Sequence, residues 1–291
     1  MTVAVIGAGF WGTAVALLLS QRGIPVEVYD SQAPDCASRA AAGICKLSWY
    51  KQQTVRQKMD GVFTYAEFAA GFDWLMDQVP IARVPEQFVN ESRNTTSVHR
   101  DNYLGSPADL LDKADPWLIR TEVKTVSPEG HVLTPVSEKI HQAVVVAAGY
   151  RTDLVLTASG LPPVTGVRPL FGSAILFDSP ALPDMECLTV MTRPYVHYTF
   201  RRWGDRWRGG DTVERHPDAQ KITAVMDLAG RYYREVTKVE VYGGTRPVCD
   251  RMFVGPVSGR VFAATGGHRV GFGLAGAVAE RVAGQVEKML S

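Results

Sequence analysis

A chain that opens Val3-Ala4-Val5-Ile6-Gly7-Ala8-Gly9-Phe10-Trp11-Gly12 has little freedom in how it begins. The four apolar residues predict a buried strand, the glycines a tight turn, and the apolar stretch after them a helix. Gly23 stands where a helix C-cap belongs, and Ile24-Pro25 leads into a second strand, Val26-Glu27-Val28-Tyr29-Asp30. Strand, glycine turn, helix, strand and acid together form the unit that holds the diphosphate and ribose of a dinucleotide. Gly7 permits the turn, Gly9 lets backbone approach the pyrophosphate, and Gly12 lets the helix lie against the strand. The N–H groups of Phe10 and Trp11, at the positive end of that helix, face the phosphates. Asp30 ends the second strand, where a carboxylate accepts hydrogen bonds from ribose hydroxyls.

This motif leaves the dinucleotide open. Gly-Ala-Gly-Phe-Trp-Gly-Thr-Ala also resembles the opening of NAD-dependent glycerol-3-phosphate dehydrogenases, so the rest of the chain decides. At 291 residues and 46% hydrophobic, the chain has room for one interwoven or two compact domains. Lys+Arg 31 against Asp+Glu 30 leaves a net charge of +1, so no global field recruits an acidic partner. No signal peptide or membrane-spanning run is evident, which predicts a cytoplasmic protein. Cys36, Cys45, Cys187 and Cys249 lack zinc spacing and read as free thiols, and the six histidines suggest no metal site.

After Asp30 comes Ala37-Ser38-Arg39-Ala40-Ala41-Ala42-Gly43-Ile44, a run of small residues. Here the chain resembles the FAD-dependent amine oxidases of the D-amino-acid oxidase and glycine oxidase family. In that family such a segment packs a helix N-terminus against the cofactor, which implies contacts from Ser38, Arg39, Ala42, Gly43 and Ile44. A tight helix-packing seam is the plainer use of the same residues. Four further segments favour the resemblance. Ala143-Val144-Val145-Val146-Ala147-Ala148-Gly149-Tyr150 reads as a buried parallel strand ending in small residues. Glu122-Val123-Lys124-Thr125-Val126 precedes it, where the family has a valine against the adenine. Gly243-Gly244-Thr245-Arg246-Pro247 and Val261-Phe262-Ala263-Ala264-Thr265-Gly266-Gly267-His268-Arg269-Val270-Gly271-Phe272 resemble the family's Arg-Pro element and closing strand, glycine turn and helix. The nicotinamide dehydrogenases have no counterpart to these blocks.

The resemblance implies an α/β fold, with an FAD-binding Rossmann-like domain interleaved with a smaller α+β substrate domain on a mainly antiparallel sheet. Residues 1–48, 115–160 and 245–291 are assigned to the first, 49–114 and 161–244 to the second. Asp101–Leu111 is expected to be a loop and a proline-started helix, and 49–114 is short for the family, which implies a reduced lid. The implied chemistry is hydride transfer from a glycine-like or secondary amine to flavin, hydrolysis of the imine by water, and reoxidation by molecular oxygen. Arg246 takes the place of the arginine that grips the substrate carboxylate, Arg269 that of a second arginine at the pocket entrance, and Tyr198 that of a tyrosine closing the pocket. A guanidinium suits a carboxylate because two parallel N–H bonds fix distance and rotation. Ala148, Gly149 and Gly267 to Phe272 are implied to line the cofactor, with Leu274, Val278, Val282 and Val286 on the buried face of the last helix.

Phe200-Arg201-Arg202-Trp203-Gly204-Asp205-Arg206-Trp207-Arg208 supports two readings. Arginines among exposed aromatics grip phosphates and stack on bases. A hairpin turning at 203–206, with wet arginines and Trp207 packed inward, is the plainer one. The first admits a flavoenzyme oxidising or cleaving a glycyl-type amine carried on a modified DNA base or protein side chain. A third class is a non-catalytic flavin-binding protein. Reduction of the flavin by free, conjugated or no amines separates the three.

Overall fold

The computed structural model describes residues 2–46, 56–57, 59–180, 186–193, 196–203, 205–210 and 218–291. Val3–Ile6 (β1) is fully buried and pairs in parallel with β2 (Val26–Asp30) on one side and β10 (Ala143–Val146) on the other. A strand flanked on both sides and covered on both faces reads as an unbroken apolar run, which is why Val-Ala-Val-Ile and Ala-Val-Val-Val carry no alternation. Parallel pairing continues to β17 (Val261–Thr265) beyond β10 and to β6 (Leu118–Arg120) beyond β2; β16 (Phe253–Ser258) closes the edge antiparallel.

Helix α1 (Phe10–Gln21) and the last helix, α7 (Ala275–Leu290), pack together on one face of this sheet. Leu274, Val278, Val282 and Val286 are completely buried, as their four-residue spacing predicts. Helix α3 (Tyr65–Gln78) lies against α7 through Gly71 and Gly276, where a Cβ on Gly276 would stand 1.9 Å from the Gly71 carbonyl oxygen. Its start is fixed by a capping box: Glu67 N–H donates to Thr64 Oγ1 (3.2 Å) and Thr64 N–H to Glu67 Oε2 (2.7 Å). The other face carries α5 (Thr152–Ala158) and the small sheet β7 (Thr125–Val126), β8 (His131–Leu133) and β9 (Glu138–Ile140).

The second sheet runs β15-β11-β14-β13-β12-β4-β5-β3. Its strands are Ile44–Lys46 (β3), Ile81–Asn90 (β4), Thr95–Gly105 (β5), Arg168–Asp178 (β11), Cys187–Arg193 (β12), Val196–Trp203 (β13), Arg206–Gly210 (β14) and Thr237–Val248 (β15). All neighbours are antiparallel except β12 and β4. Residues Asp101 to Gly105, expected as loop, instead finish β5, whose pairing with β4 and β3 recruits them into the sheet; helix α4 (Pro107–Leu111) begins after the Ser106 cap. Residues 211–217 and most of the 47–58 stretch lie outside the described residues.

One face of this sheet is covered by α6 (Ala219–Tyr232) over Ile175, Phe177, Leu188, Val190, Phe200 and Trp207. Trp207 and Tyr233 pack with ring centroids 4.6 Å apart and their planes tilted by 56°. The 203–206 hairpin is therefore present with Trp207 inward, as Trp203 pairs with Arg206. The opposite face looks toward the parallel sheet, and the cavity lies between the two.

Candidate active site

The cavity, about 520 Å³, starts at the carboxyl ends of β1, β2 and β10 and reaches across to β11, β13, β14 and β15. At its nucleotide end, Gly7 holds φ +104° and donates its N–H to Tyr29 O (2.7 Å). Asp30 then locks the turn from the next strand. Its Oδ2 accepts from Ala8 N–H (2.6 Å) and its Oδ1 from Gln32 N–H (2.6 Å). Ionised carboxyl oxygens keep further lone pairs, so Asp30 can still accept from a ribose. Thr121, Glu122 and Val123 line the same end.

Farther along, Phe10 N–H donates to Ser38 Oγ (3.1 Å), which ties the start of α1 to α2 (Ala37–Ala40). Trp11 acts at long range. Its indole N–H donates to Gly271 O (2.8 Å), and its ring lies so close to Gly267 that a Cβ there would meet it at 2.6 Å. The side chain of a residue from the nucleotide motif thus positions the closing turn.

Ala42, Gly43, Ile44, Ala148, Gly149, Gly267, His268, Gly271 and Phe272 join Gly7, Gly9, Phe10, Trp11, Asp30, Ser38 and Val123 on the cavity wall. His268 adopts φ +41° within this turn. Three residues expected to touch cofactor stand off that wall. Gly12 is buried against the Gly7 carbonyl, Val270 is in the core, and Arg39 is on the surface, 4.0 Å from Asp30.

Arg246, from β15, and Arg269, from the turn before α7, both line the cavity. The backbone beside Arg246 is held from several directions. Thr245 N–H donates to Asp35 O (2.8 Å), and Asp35 Oδ2 accepts from Thr245 Oγ1 (3.1 Å) and Tyr150 Oη (2.8 Å). Arg151 Nη2 completes the set at 3.0 Å from Asp35 Oδ1. Burial works against the Asp35 carboxylate, but these donors outweigh it and hold its carboxyl below the usual range.

Tyr198 does not close the cavity. Sheet alternation turns it, with Phe200, toward the core under α6, and Thr199 takes the cavity side. The arginine run is likewise corrected. Arg201 and Arg208, paired across β13 and β14, are buried on the cavity face. Arg208 Nη2 donates to Arg39 O (2.8 Å) and Arg208 Nε to Tyr242 Oη, whose ring the guanidinium also covers. Arg201 Nη1 donates to Gly105 O (3.1 Å), and burial, with Arg208 adjacent, lowers its pKa to about 9. Burial raises the pKa of Tyr242 in turn. Arg206 is engaged by Asp178 and Glu240, each at 2.6 Å. The side chain of Trp203 lies outside the described residues.

With Arg201 and Arg208 buried, and Arg202 and Arg206 paired with carboxylates at the surface, a gel-shift titration at low salt is expected to show no complex with single- or double-stranded DNA. A complex that dissolves as salt rises would restore the polyanion reading.

All four cysteines are free, with Cys45, Cys187 and Cys249 buried. Among the described residues no helix is long and apolar enough to cross a membrane.

Comparison with known proteins agrees with this geometry. Iminodiacetate oxidase from Chelativorans sp. BNC1 superposes with a TM-score of 0.79 at 18% identity, over 98% of this chain and 95% of that one. Glycine oxidase from Geobacillus kaustophilus gives 0.77 at 19%, over 98% and 94%. L-proline dehydrogenase from P. horikoshii gives 0.74 at 15%, over 99% and 93%. At such identities the likeness is one of fold. No curated protein matches the sequence significantly. The model of the DAO family, described as FAD dependent oxidoreductase, matches residues 2–115 and 117–285. That match spans nearly the whole chain, nucleotide motif and closing turn included, and the chain belongs to the DAO family of FAD-dependent oxidoreductases.

Proposed function

We propose that this flavoenzyme oxidises a small glycine-like or secondary amine bearing a carboxylate, the imine being hydrolysed by water, with molecular oxygen as electron acceptor. The observation that carries this reading is the pair of arginines, Arg246 and Arg269, on the cavity wall beyond the nucleotide end. These two guanidiniums, in a mostly apolar cavity, suit an anionic group on a small substrate. The names of the superposed proteins agree: glycine, iminodiacetate and proline are all amines with at least one carboxylate.

The residues fit FAD. Gly9 and Gly149 present bare backbone to the cavity: a Cβ on Gly9 would meet only Ser38, at 3.1 Å or beyond, and one on Gly149 nothing within 4 Å. Asp30 and Val123 would hold the ribose and adenine end, Gly9, Phe10 and Ser38 the diphosphate, and Gly43, Ile44, Gly267 and Phe272 the ring end. When bound, the flavin supplies the two-electron acceptor for the substrate's α-C–H. The chain's own part is to clamp the carboxylate, exclude water and direct the α-carbon. In this reading 1–48, 115–160 and 245–291 carry the cofactor and 49–114 and 161–244 the substrate, with α3 lending its weight to the cofactor side.

Asp30→Ala is expected to weaken FAD retention about 10-fold, because it removes a ribose acceptor worth roughly 1–1.5 kcal/mol and also unties Ala8 N–H. Asp30→Asn keeps one acceptor and should lose less. Equal FAD content in all three proteins after dialysis would reassign the ribose contact.

The overall reading is tested by anaerobic bleaching of the bound flavin with a panel of glycine derivatives, free and conjugated. Reduction by free carboxylate-bearing amines is expected. Reduction by conjugated amines alone would give the macromolecular reading, and reduction by none the non-catalytic one.

A further inference from the structure

On the cavity face of the second sheet, a line of polar side chains leads from Thr199 to the surface. Thr199 lines the cavity, and its Oγ1 is 2.9 Å from Thr189 Oγ1 on the paired strand. Thr189 Oγ1 donates to Glu86 Oε1. Glu86 is completely buried, and its Oε2 faces His99 Nδ1 at 3.6 Å, on the next strand. The His99 side chain is 45% exposed. We propose that Thr199, Thr189, Glu86 and His99 form a proton path that carries the substrate's ammonium proton from the cavity to solvent. The proposal rests on the amine-oxidase reading above.

A buried carboxylate is costly, and a packing role alone would be served as well by an apolar residue. Its hydrogen bonds also have a direction. Ionised Glu86 only accepts, so Thr189 gives it the one hydroxyl proton it has and must accept from Thr199. Thr199 has then donated its own proton away from the cavity and keeps lone pairs to accept one. The array is thus set to receive a proton from a donor in the cavity.

The step balances without any redox partner. An N–H bond of the substrate ammonium breaks, its electron pair stays on nitrogen, and the proton bonds to Thr199 Oγ1. The Thr199 proton passes to Thr189 Oγ1 and the Thr189 proton to Glu86 Oε1. The carboxyl group of Glu86 turns over to bring its protonated oxygen to His99, His99 Nδ1 takes the proton and releases it to water, and the carboxylate and hydroxyls return to their starting orientation. The amine left behind is neutral, the form from which the α-hydride leaves.

Titratable groups on this face flank the path on neighbouring strands, with Arg208 and Tyr242 beyond Arg201. His99 and Cys187 stand opposite Glu86 from either side, and Arg201 stands opposite Cys187. His99 is further held by Ser97, whose Oγ lies 3.2 Å from Nε2, and is stacked on Phe88.

The test compares wild type, Glu86→Gln, Thr189→Val and His99→Gln, each loaded with FAD, by anaerobic stopped-flow reduction across pH. Below the amine's pKa, Glu86→Gln and Thr189→Val should slow reduction on the order of 10- to 100-fold. Above it, where the amine arrives neutral, all rates should converge. Infrared difference spectra should show a carboxylic-acid band appearing during turnover in wild type and absent in Glu86→Gln. Slowing by one constant factor at every pH, or unchanged rates with no such band, would overturn the path and leave the amine reading intact. Wild type that no amine reduces would overturn the amine reading and the path with it. Should the buried substitutions prevent folding, His99→Gln, at the surface, carries the same pH test.

Discussion

Gly12→Ala is expected to yield a colourless protein. A Cβ at this position would stand 1.8 Å from the Gly7 carbonyl oxygen and 3.3 Å from Val5 Cγ1. The oxygen cannot move aside, because Gly7 is itself pinned: its N–H bonds Tyr29 O, and a Cβ on it would meet the Ala147 carbonyl oxygen at 2.6 Å. Helix α1 must therefore lift from β1. The lift occurs at the end where Phe10 N–H meets Ser38 and Trp11 meets Gly271, so the phosphate cradle and the closing turn separate together. Overpacking of a dense core costs about 1–3 kcal/mol even where neighbours can yield, and here the neighbour is backbone. The loss should show as a fall in flavin absorbance per protein and in Tm. Gly284→Ala is the control. It lies inside α7 with nothing within 4 Å of the new Cβ, and should stabilise the protein by about 0.5–1 kcal/mol. A yellow Gly12→Ala protein with wild-type Tm would mean that this turn does not hold the cofactor.

What could be read in the sequence was set by local rules. The parallel strands declared themselves by unbroken apolar runs, α7 by its four-residue spacing, and the first turn by glycines that no other residue can replace. What escaped was set by partners far along the chain. Alternation in β13 and β14 separates Phe200 and Trp207 from Arg201 and Arg208, but it does not say what covers the arginine face. That face is not wet: it looks onto the cavity and onto Gly105 and Arg39 from distant segments. The same ambiguity misplaced Tyr198, one residue out of step with the cavity-lining Thr199. Trp11 reads as a variable position of the nucleotide motif, and its bond to Gly271 spans 260 residues. Asp35 carried no motif at all, although it joins Tyr150, Arg151 and Thr245 next to Arg246.

Arg246→Ala is expected to keep the fold and the flavin while losing its hold on substrate. The strand around it is held by several contacts besides its guanidinium. Thr245 is fixed by Asp35, Gly244 packs so closely on α2 that a Cβ would meet Ala37 at 2.7 Å, and Leu170 pairs with Arg246 through the backbone ladder. Truncation should therefore move neither Tm nor the FAD content appreciably. A charge-assisted bidentate contact is worth roughly 1.5–3 kcal/mol, so the substrate Kd from anaerobic bleaching should rise about 10- to 150-fold. Arg246→Lys should recover only part of this, since an ammonium restores the charge and not the paired geometry that fixes rotation of the carboxylate. Arg269→Ala should cost less, about 1 kcal/mol or under, because Arg269 is exposed and its field is screened. The ordering is the discriminating result. If Arg246→Ala bleaches at wild-type concentrations while Arg269→Ala does not, the carboxylate sits at the entrance and the clamp must be reassigned to Arg269. If neither changes Kd, recognition passes to the Arg208–Tyr242 pair, a further cation and phenol that line the cavity beside Arg246 on the same sheet.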